Sequence, residues 1–181
     1  MRRFVLTGAP GAGKTTIVAA LRARGVCTVA EAATDVIARR QAAGVAEPWT
    51  EAGFLDRIAA LQRRRQLTAV APVQVFDRSP VCTLALAVYS GQQPTARLHA
   101  ELERTAGLYD RRVLLVRPLG FVTPTPARRI SYTESLRFER IHEEVYREQG
   151  YELVEVPPAP VDERVALVAG HLAAWTSTRV V

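Results

Sequence analysis

Apolar positions recur in two rhythms along the 181-residue chain, and the alternation between those rhythms carries the first structural information. Short aliphatic or β-branched runs at 3–7, 26–30, 73–76, 113–116 and 151–156 have the length and composition of buried strands. Between them, 14–24, 31–41, 51–69, 80–89, 93–106, 133–149 and 161–175 are rich in helix formers or repeat apolar residues at helical spacing. In 51–69, Phe54, Leu55, Ile58, Leu61 and Leu67 fall near one face, while Arg57, Arg63, Arg64 and Arg65 lie mostly elsewhere. Gly25 and Gly150 are placed to end helices, 44–48 breaks another, Pro80 suits a first turn and Thr133 is positioned as an N-cap.

Strands that alternate with helices predict an α/β fold of three layers: a five-stranded, mainly parallel sheet covered on both faces. The length fits one domain over 1–181, with no internal repeat and no low-complexity tract. One segment departs from the pattern. Residues 117–132 hold Pro118, Pro124 and Pro126, Gly120, and the paired Arg128 and Arg129, and read as an irregular excursion of lid length.

Composition narrows the classes. Hydrophobic residues make up 48% of the chain, enough for a core, yet no apolar run approaches the roughly 20 residues of a membrane span. The N-terminal apolar run is too short for a signal peptide, and the two cysteines, Cys27 and Cys82, have neither CxxC spacing nor nearby histidines. Both read as small core residues, and the expected location is the reducing cytoplasm. The net charge of +6 comes from 23 arginines and one lysine against 18 acidic residues. An arginine-rich solvated surface accounts for it, and attraction of phosphorylated partners is the alternative. Nucleic acid is not an expected partner, because no zinc-finger spacing, RNP signature or basic-aromatic stripe is present.

The single lysine is Lys14, and it stands in GAPGAGKTT at 8–16, directly after the first strand and directly before the first helix. Gly8, Gly13, Lys14 and Thr15 satisfy GxxxxGK[ST]. Glycines let the backbone of Gly8, Ala9, Pro10, Gly11, Ala12 and Gly13 wrap an anion with its N–H groups turned inward, ahead of a helix N-terminus. Lys14 then reaches the β- and γ-phosphates, Thr15 offers a hydroxyl to Mg²⁺, and Thr16 serves the α-phosphate region. The expected ligands are ATP or GTP with Mg²⁺. With the one lysine used here, an NKxD guanine-reading motif is impossible, which disfavours an ordinary small GTPase.

Other candidates follow the second and third strands. Asp77, in VQVFDRSP, falls at the carboxyl end of a strand, where open α/β sheets bind ligands, and is a candidate Mg²⁺ acid; a solvated aspartate capping the next helix is the alternative. Arg78 is a candidate clamp on an acceptor or a moving phosphate, or else a surface ion-pair partner. Glu31 is the candidate base for a substrate hydroxyl, or a first-turn acid serving the helix dipole. Asp35, one helical turn on, is the reserve choice on the same face. Arg128 and Arg129 are candidates for charge neutralisation from the lid, and Arg137, with Arg140 beside it, for the acceptor side. Trp49 and Phe54 can stack an acceptor ring or pack as core.

With these residues in place, the sequence resembles the P-loop kinase-like AAA-type family that includes the nicotinamide riboside kinase domain and small ATP- or GTP-binding proteins. TGAPGAGKTT, the EAATDVI segment that opens with Glu31, FDRSP at 76–80 and YTESLRFERIHEEVYREQGYELVEVP at 132–157 carry the resemblance by their order and spacing. It implies a nucleoside/nucleotide-kinase-like fold with Glu31 as base, Asp77 as magnesium-associated acid and Arg78 as clamp. The lid, FVTPTPARRI, lacks the acidic residues of the riboside kinases, which argues against nicotinamide riboside as acceptor. The expected activity is an ATP-dependent phosphotransfer to a hydroxyl of a small molecule such as a nucleoside, sugar or natural product. A nucleotide-dependent switch that binds a protein or lipid is the alternative, and a homodimer is compatible with either.

Overall fold

The computed structural model describes residues 1–123 and 130–177. Five strands, β1 (Arg2–Thr7), β2 (Cys27–Val29), β3 (Val73–Asp77), β4 (Arg112–Val116) and β5 (Glu152–Val156), form one sheet in the order β2-β3-β1-β4-β5. Every pairing is parallel. The connections are helical: α1 (Lys14–Ala23), α2 (Ala33–Ala42), α3 (Phe54–Thr68), α4 (Pro80–Tyr89), α5 (Ala96–Thr105), α6 (Tyr132–Glu148) and α7 (Val161–Ser177), with a 3-10 turn at Pro48–Thr50. No helix among the described residues is long and apolar enough to cross a membrane.

Strand alternation divides the core into layers. Phe4 and Leu6 of β1, with Leu114 and Val116 of β4, face α1 and α7, where Ile17, Leu21, Val165, Val168 and Trp175 complete one cluster. Val5, Phe76 and Val113 point the other way, onto Val81, Cys82 and Ala85 of α4 and Phe138, Val145 and Tyr146 of α6. A third cluster joins α2 and α3 through Val36, Ile37, Phe54, Leu55, Ile58 and Leu61, beside the sheet. This is the predicted three-layer arrangement.

Several boundaries differ from the sequence expectation, each for a local reason. α2 begins at Ala33, leaving Glu31 in the turn after β2. α3 begins at Phe54, because Gly53 takes φ 79° and ends the preceding turn. The cap of α6 is Ser131 and not Thr133: its hydroxyl accepts the Glu134 N–H while Glu134 accepts the Ser131 N–H, a reciprocal capping box. Cys82 is buried, as expected, whereas Cys27 lies half-buried on the edge strand.

Candidate functional site

The phosphate loop emerges from β1, the central strand, and turns into α1. Two of its glycines are required by geometry. Gly8 has φ 134°, and a Cβ there would run into the Val116 carbonyl of the neighbouring strand. Gly13 has φ 87°, and a Cβ there would lie 3.0 Å from Arg164 Nη1. Ala9 and Ala12 are buried, and anchor the loop to the core. Lys14 is 5% exposed, and its Nζ donates to the carbonyls of Gly8 (2.9 Å) and Ala9 (2.8 Å). Burial and then the charge of Arg78 lower its pKa to about 8, against the pull of Asp77 and Glu31. Thr15 and Thr16 are exposed in the first turn of α1.

Next to the loop, β3 ends in Asp77 and the chain turns sharply. Arg78 takes φ 74°, the only positive φ outside glycine among the described residues. An L-residue there costs about 1–2 kcal/mol, offset in part by the hydrogen bond from Arg78 N–H to the Leu6 carbonyl at 3.0 Å. The turn directs the guanidinium into the site. Its Nε forms an ion pair with Glu31 Oε1 at 2.6 Å, and Nη1 lies 3.0 Å from His142 Nε2. His142 is fully buried and its Nδ1 lies 2.9 Å from the Phe138 carbonyl. That carbonyl can only accept, so Nδ1 carries the proton and Nε2 accepts from Arg78. Burial and Arg78 hold His142 well below its ordinary pKa, so the imidazole is neutral.

The carboxylates behave differently. Burial pushes Glu31 upward, but Arg78 and Lys14, together with the Thr34 hydroxyl at 3.0 Å from Oε2, outweigh it and hold its pKa low. Asp77 is 5% exposed, burial raises its pKa, and its Oδ1 has no hydrogen-bond partner. A buried carboxylate oxygen without a partner suits a cation delivered with the ligand. Among the described residues no three His, Cys, Asp or Glu side chains cluster as a metal site. Thr15 and Asp77 are the side chains that would meet a Mg²⁺ arriving on nucleotide phosphates.

From the loop, a cavity of about 700 Å³ leads away between α2, α3, α4 and α6. Glu31 and Arg78 stand at its junction with Lys14. Its far walls are Ile37, Trp49, Phe54, Ile58, Leu86, Tyr89 and Phe138, and Tyr89 stacks on Phe138 with centroids 4.5 Å apart. Gln62 and Thr83 supply polar groups: the Gln62 amide donates to the Ser79 carbonyl and accepts from the Thr83 hydroxyl, both at 3.0 Å.

A family model described as an AAA domain matches residues 3–164. The chain belongs to the AAA-domain family. Solved structures share its fold. The AAA domain superposes on deoxyadenosine kinase from M. mycoides, solved with the products dCMP and dCDP, at TM-score 0.61 and 15% identity, over 95% of this chain and 99% of that one. Thymidylate kinase from Ehrlichia chaffeensis gives TM-score 0.64 at 12% identity, over 94% and 98%. Thymidylate kinase from Candida albicans gives 0.61 at 10% identity, over 97% and 92%. At these identities the likeness is one of fold. A comparison with curated proteins returns no match.

The fold of the AAA domain brings Lys14, Glu31, Asp77 and Arg78 together. It does not bring Asp35 to them: that carboxylate pairs with Arg65 of α3 and is absent from the cavity lining. Arg137 is exposed, with its guanidinium 5.8 Å from the Tyr89 ring centroid, behind a wall residue rather than in the wall. Arg128 and Arg129 lie outside the described residues. Trp49 and Phe54 both line the cavity, and Phe54 also belongs to the α2–α3 core. Sequence reading missed His142, Gln62, Thr83 and Arg164. Their only signal was a polar or charged residue within an otherwise apolar helical stripe.

Proposed function

We propose that this AAA domain is a phosphotransferase that moves the γ-phosphate of ATP, or of GTP, to a hydroxyl of an uncharged small molecule of nucleoside size. The observation that carries the reading is the Glu31–Arg78 pair at the junction between the phosphate loop and a cavity with an aromatic far end. A loop alone would serve a switch equally well. A carboxylate lining a half-open, ligand-sized space beside it suits acceptor chemistry.

Glu31 takes the proton of the acceptor hydroxyl as the new O–P bond forms and the bond to the β-phosphate oxygen breaks, releasing the nucleoside diphosphate. Lys14 and the loop N–H groups neutralise charge on the β- and γ-phosphates, and Arg78 faces the transferring group once the acceptor hydroxyl enters its pair with Glu31. Thr15 and Asp77 would hold Mg²⁺, which would add further charge neutralisation there. Catalysis is thus mainly positioning and electrostatics.

The acceptor's charge is constrained by the walls. Arg78 is the one arginine in the described lining, and it is already committed to Glu31 and His142. In the described lining, Trp49, Phe54 and Phe138 suit a flat neutral body, and Gln62, Thr83 and Ser90 suit its polar edge. The fold, shared with deoxyadenosine kinase and thymidylate kinase alike, supports phosphotransfer. The test is a panel of nucleosides, sugars, aminoglycosides and other hydroxylated natural products with γ-labelled ATP. Label transferred to a neutral acceptor supports the proposal; hydrolysis alone across the panel, together with nucleotide-dependent capture of a protein or lipid, overturns it in favour of a switch.

A further inference from the structure

Arg164, in the first turn of α7, is 2% exposed and carries a charge that no carboxylate balances among the described residues. Its Nη2 donates to the Ala12 carbonyl in the phosphate loop at 2.8 Å and to the Arg117 carbonyl at the end of β4 at 3.1 Å. Its Nε is buried with no hydrogen-bond partner. Residues 124–129 and 178–181 contain no Asp or Glu side chain. Two half-buried guanidiniums differ: Arg78 faces Glu31, and Arg117 is ringed by Glu139, Glu143 and Glu155. A guanidinium keeps its proton, so carbonyls satisfy its donors without cancelling its charge. A buried charge of this kind is retained against a substantial desolvation penalty.

Its position says what the charge is for. The guanidinium lies against Gly13 and bonds to Ala12, on the segment whose N–H groups form the anion cradle. We propose that Arg164 is a nucleotide-binding residue that acts from behind the phosphate loop, its fixed charge compensated by the polyphosphate of a nucleoside di- or triphosphate on the other side. In a weakly screened interior such a charge reaches across several ångströms without contact. Arg164 therefore grades ligands by phosphate charge, and the triphosphate gains most. The inference rests on nucleotide binding at the loop and is independent of any acceptor.

Binding of fluorescent ATP, ADP and AMP analogues to the purified chain tests it, with Arg164→Gln and Arg164→Lys compared at equal ionic strength. Arg164→Gln removes the charge and, because its amide reaches only to the place of Nε, also the bonds to the Ala12 and Arg117 carbonyls; it is expected to weaken ATP by about 10-fold or more, ADP less, and AMP by no more than about threefold, a grading by phosphate charge that loss of the two bonds alone would not give. Arg164→Lys keeps the charge and is expected to stay within about threefold of wild type for ATP. Equal losses for all three nucleotides in Arg164→Gln would mark a structural clamp and overturn the proposal, as would unchanged ATP binding. If circular dichroism shows Arg164→Gln unfolded, a folded Arg164→Lys decides: retained ATP affinity supports a charge role, and a loss beyond about 10-fold overturns it. Wild-type protein that binds none of the three overturns the loop reading itself, whereas binding without transfer overturns only the phosphotransferase reading.

Discussion

Arg78 Nε and Glu31 Oε1 lie 2.6 Å apart, so the candidate base and the candidate clamp hold each other in the ligand-free protein. The pairing keeps Glu31 ionised at neutral pH, ready to accept a proton, and fixes where the acceptor oxygen must enter. Glu31→Gln retains an oxygen for Arg78 but removes the base. Turnover is expected to fall by about 100- to 10,000-fold, with nucleotide affinity within a few-fold of wild type. Transfer by the variant at the wild-type rate would remove Glu31 from the mechanism.

Asp77 gives a separate handle on the metal. Burial raises its pKa and its Oδ1 has no partner, so Mg²⁺ binding displaces a proton more readily as pH rises. Asp77→Asn is expected to lower Mg²⁺-dependent turnover by at least about 100-fold while leaving Mg²⁺-free nucleotide binding nearly intact. A titration of activity against Mg²⁺ at two pH values checks both parts. Wild-type Mg²⁺ dependence in the variant would place the ion elsewhere.

Lys14 titrates at about 8 in the ligand-free protein, lowered first by burial and then by Arg78. Above that pH the folded chain has lost a proton that phosphates call back. Nucleotide binding should therefore take up a proton at pH 9 and little or none at pH 7, and the affinity should fall as pH rises past about 8. Calorimetry in buffers of different ionisation enthalpy measures the uptake directly. Identical proton counts at the two pH values would contradict the lowered Lys14.

His142 predicts the acid limb of stability. Its folded pKa lies well below the unfolded value near 6.5. Below that pH the unfolded chain binds a proton that the folded chain refuses, so stability falls by about 1.4 kcal/mol per pH unit until the folded pKa is reached. Urea midpoints for wild type and His142→Gln between pH 7 and pH 5 should converge as pH drops, because glutamine can accept from Arg78 without titrating. Parallel curves would show that His142 is not the group responsible.

Local chemistry was legible in the sequence, and contact between distant elements was not. The phosphate loop, the five strands and the strand-end position of Asp77 depend on spacing within a few residues, and a glycine pattern or a short apolar run reports them directly. Asp35 shows where that ends: one helical turn from Glu31, it turns to Arg65, because α3 packs against α2 on that side. His142 and Arg164 read as members of ordinary helical stripes, and only the packing of α6 against α4 and of α7 against α1 aims them at Arg78 and Ala12. The left-handed Arg78 carries no local signature either, since glycine or asparagine is the usual residue there.

The sheet order has a consequence for synthesis. The first strand made is the middle strand of the sheet, with Val5 opposite Phe76 on one side and Val113 on the other. A ribosome adding about 5–20 residues per second leaves that apolar strand without a neighbour for several seconds, and without its second neighbour for on the order of ten. The Val116 carbonyl that walls Gly8 in the finished domain arrives only with β4, so the loop lacks that wall until β4 has cleared the exit tunnel. The apolar segment at 4–6 waits incompletely paired through that interval.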